Sequence, residues 1–363
     1  MNTEKYIIKN EVVITNMISD KIISLVETAR QSVAHTANAA MVFTYFHIGK
    51  LLVEEWQQGE ERAGYGANVL KNVSSILSEK LGRGFSVPNL ERMRSFFLLY
   101  SKSSNTLRNS DVFQKSSTLS RISENDLTIN LLPISWSHYS FLMRIKNEQE
   151  RQFYEIESFQ NQWSVRELER QFNTGLYERL AVSKNQEEIL KLSQEGQIIT
   201  KPKDLMKDPL ILDFLDLKSD FSYTETDLET AIINQIEKFM LELGKGFFFG
   251  GRQVRFSFNE ENYFVDLVFY NRILQCFVLI DLKIGKLKHQ DLGQMQMYVN
   301  YYDRFIKQDY ENSTVGIIIC KTKEDAIVEI TLPKDNNQIF ATQYETIIPT
   351  KEMLKQLLET NKH

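Results

Sequence analysis

Apolar residues recur every three or four positions through much of the first half of the chain, and in short dense runs through the second. In VFTYFHIGKLLVEEW (42–56), and again over 66–81 where Val69, Val73, Ile76 and Leu77 line up, the spacing predicts amphipathic helices. LGRGFSVPNLERMRSFFLLY then supplies a stop and a start. Gly82 and Gly84 end one helix, Ser86 stands where a cap is needed, and Pro88 falls in the next first turn. Short helices across a glycine turn are compatible with a helix-turn-helix arrangement. Periodicity fades over 101–130, which is dense in Ser, Asn and Thr and reads as a long loop. It returns over 136–182, where WSHYSFLMRI and WSVRELERQFNTGLYERLA predict two helices.

From 184 to 224 the chain is charged and irregular, with LILDFLDL as a short packed piece. Beyond it a helix is expected over 227–243, ending at Gly244. Strands follow near 253–258, 263–270 and 274–283, separated by the hairpin-sized breaks NEEN and NR. A helix over 290–306, a strand at 313–320 and weaker strands near 327–332 and 338–344 complete the pattern. The expected fold class is α + α/β: an all-helical domain over 1–183, helix-turn-helix-like, a linker over 184–224, and over 225–363 a mixed sheet flanked by helices.

The totals narrow the function classes. A length of 363 residues suits about two domains. A net charge of −5 makes any nucleic-acid surface a local one. Cys276 and Cys320 sit in apolar runs and build neither a disulfide framework nor a zinc site. No apolar run approaches the ~20 residues of a membrane span, so no membrane partner is expected. The opening MNTEKYIIKNEVVITNM lacks an apolar leader core. A cytoplasmic protein is the expectation.

The chemistry lies in FVDLVFYNRILQCFVLIDLKIG, residues 264–285. It reads as two buried strands, yet carries Asp266, Asp281 and Lys283. Side chains alternate along a strand, so Asp281 and Lys283 share a face with Leu279. Adjacent strands of one hairpin let Asp266 and Asp281 converge. Two buried carboxylates repel and are costly unless something offsets them. A divalent cation does so, because hard cations take carboxylate oxygens. An ion pair at a strand end, with no function, also fits a lone D-x-K. A third acid, Glu229, shares a helical stripe with Ile233, Ile236 and Met240. Thr226-x-x-Glu229 equally fits a capping box, and spacing leaves both readings open. Gln294 borders the apolar stripe of the later helix, beside Gly293, and alone reads as a solvated residue.

Taken in order, these residues and their surroundings resemble the YhcG-type PD-(D/E)xK nucleases of the restriction-endonuclease-like superfamily. In the second half the likeness is carried by DLETAI, LELGKGFFFGGRQVRF, YFVDLVFYNRIL, VLIDLKIGKLK, LGQMQMYVNYYD and VGIIIC; in the first, by RAGYGANVL, LGRGFSVPNLERMRSFF, WSHY and WSVRELERQF. The resemblance implies a Mg²⁺-dependent DNA endonuclease, with Mn²⁺ as a substitute. Asp266 and Asp281 would hold the cation with the Leu282 carbonyl, and Glu229 would support it directly or through water. Lys283 would orient or deprotonate the attacking water, and Gln294 would help fix water or Lys283. The family commonly has Glu where this chain has Asp281.

Lys and Arg outnumber Glu around the proposed turn, with Arg83, Arg92 and Arg94 nearest to it. These three are candidate contacts to DNA backbone; a solvated helix face or a contact in a homo-oligomer is the plainer reading. The rival to the nuclease is a non-catalytic DNA-binding or assembly protein on the same scaffold. RNA or branched DNA as substrate is a further alternative, and service in defence or to a mobile element is analogy from the superfamily.

Overall fold

The structure, a computed structural model, describes residues 36–54, 63–101, 132–181, 184–217 and 223–348, together with Val26 and Val33. Apart from Ser101, the loop expected over 101–130 lies outside the described residues. The chain divides into two compact units, Met1–Val165 and Arg166–His363. No helix among the described residues is long and apolar enough to cross a membrane.

The first unit is helical: α1 over 36–54, α2 (Ala63–Leu81), α3 (Val87–Tyr100), α4 (Trp136–Leu142) and α5 (Glu148–Gln160). Between α2 and α3, Gly82 takes a φ of +91°, which suits a residue without Cβ. Ser86 then takes the N-cap position of α3 without a side-chain cap bond, and Pro88 falls in the first turn. A Cβ at Gly49 would lie 2.1 Å from the Met93 carbonyl oxygen, so α1 and α3 approach backbone to backbone only because glycine stands there. Rings fill the core: Phe96 packs on Phe46, Trp136 and Tyr139 at centroid distances of 5.8, 5.4 and 5.0 Å. The buried Glu155 accepts hydrogen bonds from the hydroxyls of Tyr139 (3.1 Å) and Tyr100 (3.3 Å).

The second unit begins within α6 (Val165–Asn173) and continues through α7 (Leu176–Ala181) and α8 (Gln186–Glu195). β1 (Leu210–Ile211) comes from the packed piece LILDFLDL and pairs parallel with the last strand. The stretch 184–217, linker-like in sequence, thus supplies a helix and an outer strand. The expected helix over 227–243 is two, α9 (Glu225–Asn234) and α10 (Ile236–Leu243), broken at Gln235. Then come β2 (Phe247–Phe258), β3 (Glu261–Asn271), β4 (Cys276–Lys286), α11 (His289–Tyr301), β5 (Val315–Thr322), α12 (Asp325–Thr331) and β6 (Ile339–Glu345).

One expectation is corrected: the strand near 327–332 is the helix α12. Its short apolar run fits either period. The topology decides, because β5 and β6 pair parallel and parallel neighbours need a crossover, not a hairpin.

The sheet order is β1-β6-β5-β4-β3-β2, antiparallel from β2 to β4 and parallel from β4 to β1. On one face Leu228 and Ile232 of α9 and Phe239 of α10 cover Leu267, Phe269 and Ile280. On the other, Leu292, Met295 and Val299 of α11 cover Val268, Leu279 and Ile318. β4 is central and buried on both faces, so a polar group on it must be satisfied by neighbours or by a ligand.

Candidate active site

The β3–β4 ladder runs from Asn271 opposite Cys276 to Leu267 opposite Ile280 and stops. The next pair in that register is Asp266 and Asp281, so the two acids meet where the ladder ends. Asp266 accepts the Leu282 N–H on Oδ2 at 2.8 Å, a bond the ladder no longer supplies. Asp281 is 2% exposed. Lys283, two residues on and on the same face, brings Nζ to 2.8 Å from Asp281 Oδ2. The approach is off the hydrogen-bond line: Oδ2 is buried and receives no aligned donor. Charge attraction holds the pair at this distance.

The electrostatics follow. Burial pushes the Asp281 carboxyl up to about 7; the Lys283 ammonium opposes this and the Asp266 charge adds to it. Burial works against the Lys283 charge, yet Asp281 beside it outweighs burial and raises its pKa. Glu225 of α9 stands 3.9 Å from the same ammonium.

Glu229 is not the capping residue. The capping box of α9 lies two positions earlier: Thr224 Oγ1 accepts the Asp227 N–H at 3.1 Å, and Asp227 Oδ2 accepts the Thr224 N–H at 2.8 Å. That leaves Glu229, 4% exposed, for another use. Its Oε1 accepts from Arg252 Nε, and its Oε2 accepts from Gln253 Nε2. The same Gln253 nitrogen lies 2.9 Å from Asp266 Oδ1. One amide therefore joins the helix acid to the strand acid. Gln253 holds a φ of +47°, a left-handed conformation a side chain rarely adopts. It follows a register shift between Phe249 and Gly251 in the β2–β3 pairing.

Gln294, half-buried on α11, donates to the hydroxyl of Tyr298, which is 1% exposed. Burial chiefly raises the Tyr298 pKa, and the charges of Asp281, Asp266 and Lys283 also act on it. Gln294 is thus tied to Tyr298, whose hydroxyl feels the charges of the acidic pair.

Of the five residues singled out in sequence, Asp266, Asp281 and Lys283 meet directly, Glu229 is joined to Asp266 through Gln253, and Gln294 bonds to Tyr298 beside them. Among the described residues, no group of three or more His, Cys, Asp or Glu is spaced to hold a metal. Two carboxylates, one with an oxygen lacking an aligned donor, are what the geometry offers a hard cation. That set suits Mg²⁺, which keeps several waters and takes one or two carboxylates plus substrate oxygens.

Arg252, Gln253 and Tyr298 were missed in sequence. The Gly-Gly doublet inside FFFGGRQVRF was the available signal, because glycine within a strand marks a bulge, and bulges re-aim side chains. In the helical unit, Arg83 lies in the turn before α3, and Arg92 and Arg94 lie on α3. Arg83 and Arg92 are exposed; Arg94 is half-buried.

Comparison with known proteins defines the class. The family model described as the YhcG PDDEXK nuclease domain matches residues 203–359, and the DUF1016 N-terminal domain matches 21–179. The chain is 36% identical over 345 residues to "Putative nuclease YhcG" of Escherichia coli (strain K12), covering 93% of this chain and 92% of that protein. The chain belongs to the YhcG-type PDDEXK nuclease family, and its sheet unit has the restriction-endonuclease-like fold. Solved structures that align with it include a repair endonuclease from Pyrococcus abyssi, at 14% identity and a TM-score of 0.25, over 36% of this chain and 50% of that one. The EndoMS-dsDNA2 complex aligns at 14% identity and a TM-score of 0.26, over 38% of this chain and 50% of that one.

Proposed function

We propose that the protein is a Mg²⁺-dependent DNA endonuclease whose catalytic residues are Asp266, Asp281 and Lys283. The observation that carries this reading is the meeting of the two aspartates at the end of the β3–β4 ladder, with a buried oxygen short of a donor. PDDEXK nucleases as a class use divalent metals. When bound, the cation would supply a water of lowered pKa and neutralise phosphoryl charge. Asp266 and Asp281 hold it, with the Leu282 carbonyl. Lys283 orients the attacking water and faces the negative charge that grows on the phosphate. Glu229 acts through Gln253, fixing the rotamer of Asp266, and so supports the cation at one remove. Gln294 acts through Tyr298 on the same cluster. Arg83 and Arg92, exposed beside the turn, contact phosphates along the duplex, with Arg94 behind them.

The test is cleavage of plasmid and oligonucleotide DNA with and without Mg²⁺, together with melting of the protein in Mg²⁺ or Mn²⁺. Wild type is expected to cut only with metal and to melt higher in its presence. Asp266→Asn should lose both effects, and Lys283→Ala should lose cutting while keeping the metal-induced shift. Full activity in either variant refutes the roles assigned. The chain acts in the cytoplasm on this reading, against foreign or mobile DNA.

A further inference from the structure

A second feature adjoins the site and takes no part in it. The second half of α11 and the outer end of β2 enclose an open cleft of about 360 Å³, lined by Phe256, Phe258, Gly293, Met297, Tyr301 and Phe305. Phe256 and Tyr301 stack at 4.1 Å with planes 23° apart and form its floor. Phe258 and Phe305 stand at its mouth, 46% and 61% exposed, with ring centroids 6.5 Å apart and planes at 37°. Both rings keep an exposed face on which a further flat ring can stack at a contact distance of ~3.5 Å.

The rim is polar. Gln296, Asn300 and Arg304, four residues apart, border the cleft, and among the described residues none of their side chains hydrogen-bonds within the protein. An aromatic slot edged by an amide pair and a guanidinium matches the chemistry of a nucleotide: a face to stack, an edge to hydrogen-bond, a phosphate to neutralise. Gly293 lines the same cleft. A Cβ there would meet nothing within 4 Å, so this glycine, which costs about 1 kcal/mol in a helix, serves no close packing. It leaves room. The cleft adjoins the site, since Phe256 in its lining packs edge-on against Tyr298 at 5.5 Å, and Tyr298 accepts the hydrogen bond from Gln294.

We infer that this cleft takes one unpaired DNA base beside the phosphate to be cut. The inference rests on the proposed nuclease function and names its substrate more narrowly: DNA that has, or readily yields, an unstacked nucleotide.

Binding can be read without cleavage, by fluorescence anisotropy of the full chain with Ca²⁺ replacing Mg²⁺. The probes are one labelled duplex, fully paired or with a single bulged base. Wild type should bind the bulged duplex roughly 10-fold tighter, the worth of one base–aromatic stack. Phe305→Ala and Gly293→Leu should each remove most of that advantage and leave the paired duplex unaffected. Gly293→Leu fills open space, so a normal melting curve is expected of it. Equal binding of the two duplexes by wild type, or an advantage that survives both variants, overturns the inference. So does a change in sedimented mass in either variant, which would make the cleft a contact between copies. The two readings fail separately. Absence of Mg²⁺-dependent cleavage on every substrate sinks the nuclease proposal, whereas cleavage indifferent to the bulge and to both variants sinks only the cleft.

Discussion

Two buried carboxylates in the sheet unit, Asp281 and Glu242, receive opposite treatment. Glu242 of α10 is fully buried and saturated. Its Oε1 accepts from Arg179 at 2.6 Å and from the Ile211 N–H at 3.0 Å, and its Oε2 accepts from Arg170 at 3.3 Å. Burial alone would raise its pKa, but Arg179, Lys207 and Arg170 outweigh burial and hold it down at about 2. Asp281, almost as buried, has one ammonium off the hydrogen-bond line and a second acid pressing on it, and its carboxyl is pushed up to about 7. The first arrangement needs nothing further and ties α6, α7 and α10 to β1. The second is left short of positive charge at the end of a ladder. A structural acid is recognised by completed partners, and a chemical one by the partner the fold withholds.

The comparison breaks if exchanging charge for amide gives the same result at both positions. Asp281→Asn should reduce Mg²⁺-dependent cleavage by at least ~1,000-fold, a barrier increase of about 4 kcal/mol, while the melting temperature holds or rises. Glu242→Gln should do the reverse. It strands the buried Arg179 and should cost about 3–5 kcal/mol in urea denaturation, with cleavage per folded molecule retained. Loss of activity without loss of stability in Glu242→Gln would erase the distinction.

Acid sharpens it further. Glu242 falls from an ordinary 4.5 to about 2 in the folded protein. Its folded pKa is depressed, so the unfolded chain takes up the proton first. The stabilisation is present above about 4.5 and lost as pH falls through about 2, and it amounts to about 3 kcal/mol. Urea midpoints measured from pH 6 to pH 2 should show that slope in wild type and a flatter one in Glu242→Gln. Metal addition gives a smaller effect at the other acid. Mg²⁺ at about 100 times its Kd should stabilise wild type by about 2.7 kcal/mol and leave Asp281→Asn unmoved.

What was legible in sequence follows the same division. β3, β4 and β5 could be read because their apolar runs are dense, and their acids stood out against that background. Asp266, Asp281 and Lys283 were visible as charges where a buried strand should have none. The break at Gln235 leaves no mark on the local period, and the helix α12 was not legible because it depends on how the chain must cross between parallel β5 and β6. The stretch 184–217 looked like a linker since β1 is only two residues long and gains its meaning from β6, more than a hundred residues away. Glu229 was ambiguous between cap and site. The structure places the cap at Thr224 and Asp227, not at Thr226 and Glu229, and so removes that ambiguity. Gln253 was hidden for a different reason: its importance lies in a backbone conformation that its identity does not announce.

Gln253 supplies the finest test. A left-handed φ on a non-glycine residue costs about 1 kcal/mol or more, and such strain persists where the surroundings impose it. Here Glu229 and Asp266 share its amide. Gln253→Gly relieves the backbone and removes the link; Gln253→Ala removes the link and keeps the strain. If the residue is only structural, glycine should behave at least as well as wild type in every assay. If it aligns Asp266 for the cation, both variants should bind Mg²⁺ about 10-fold more weakly by calorimetry. Glycine should then melt higher than alanine by an amount equivalent to about 1 kcal/mol. Stability rising while metal affinity falls is an outcome that packing alone does not produce, since it separates the backbone from the amide that the backbone presents.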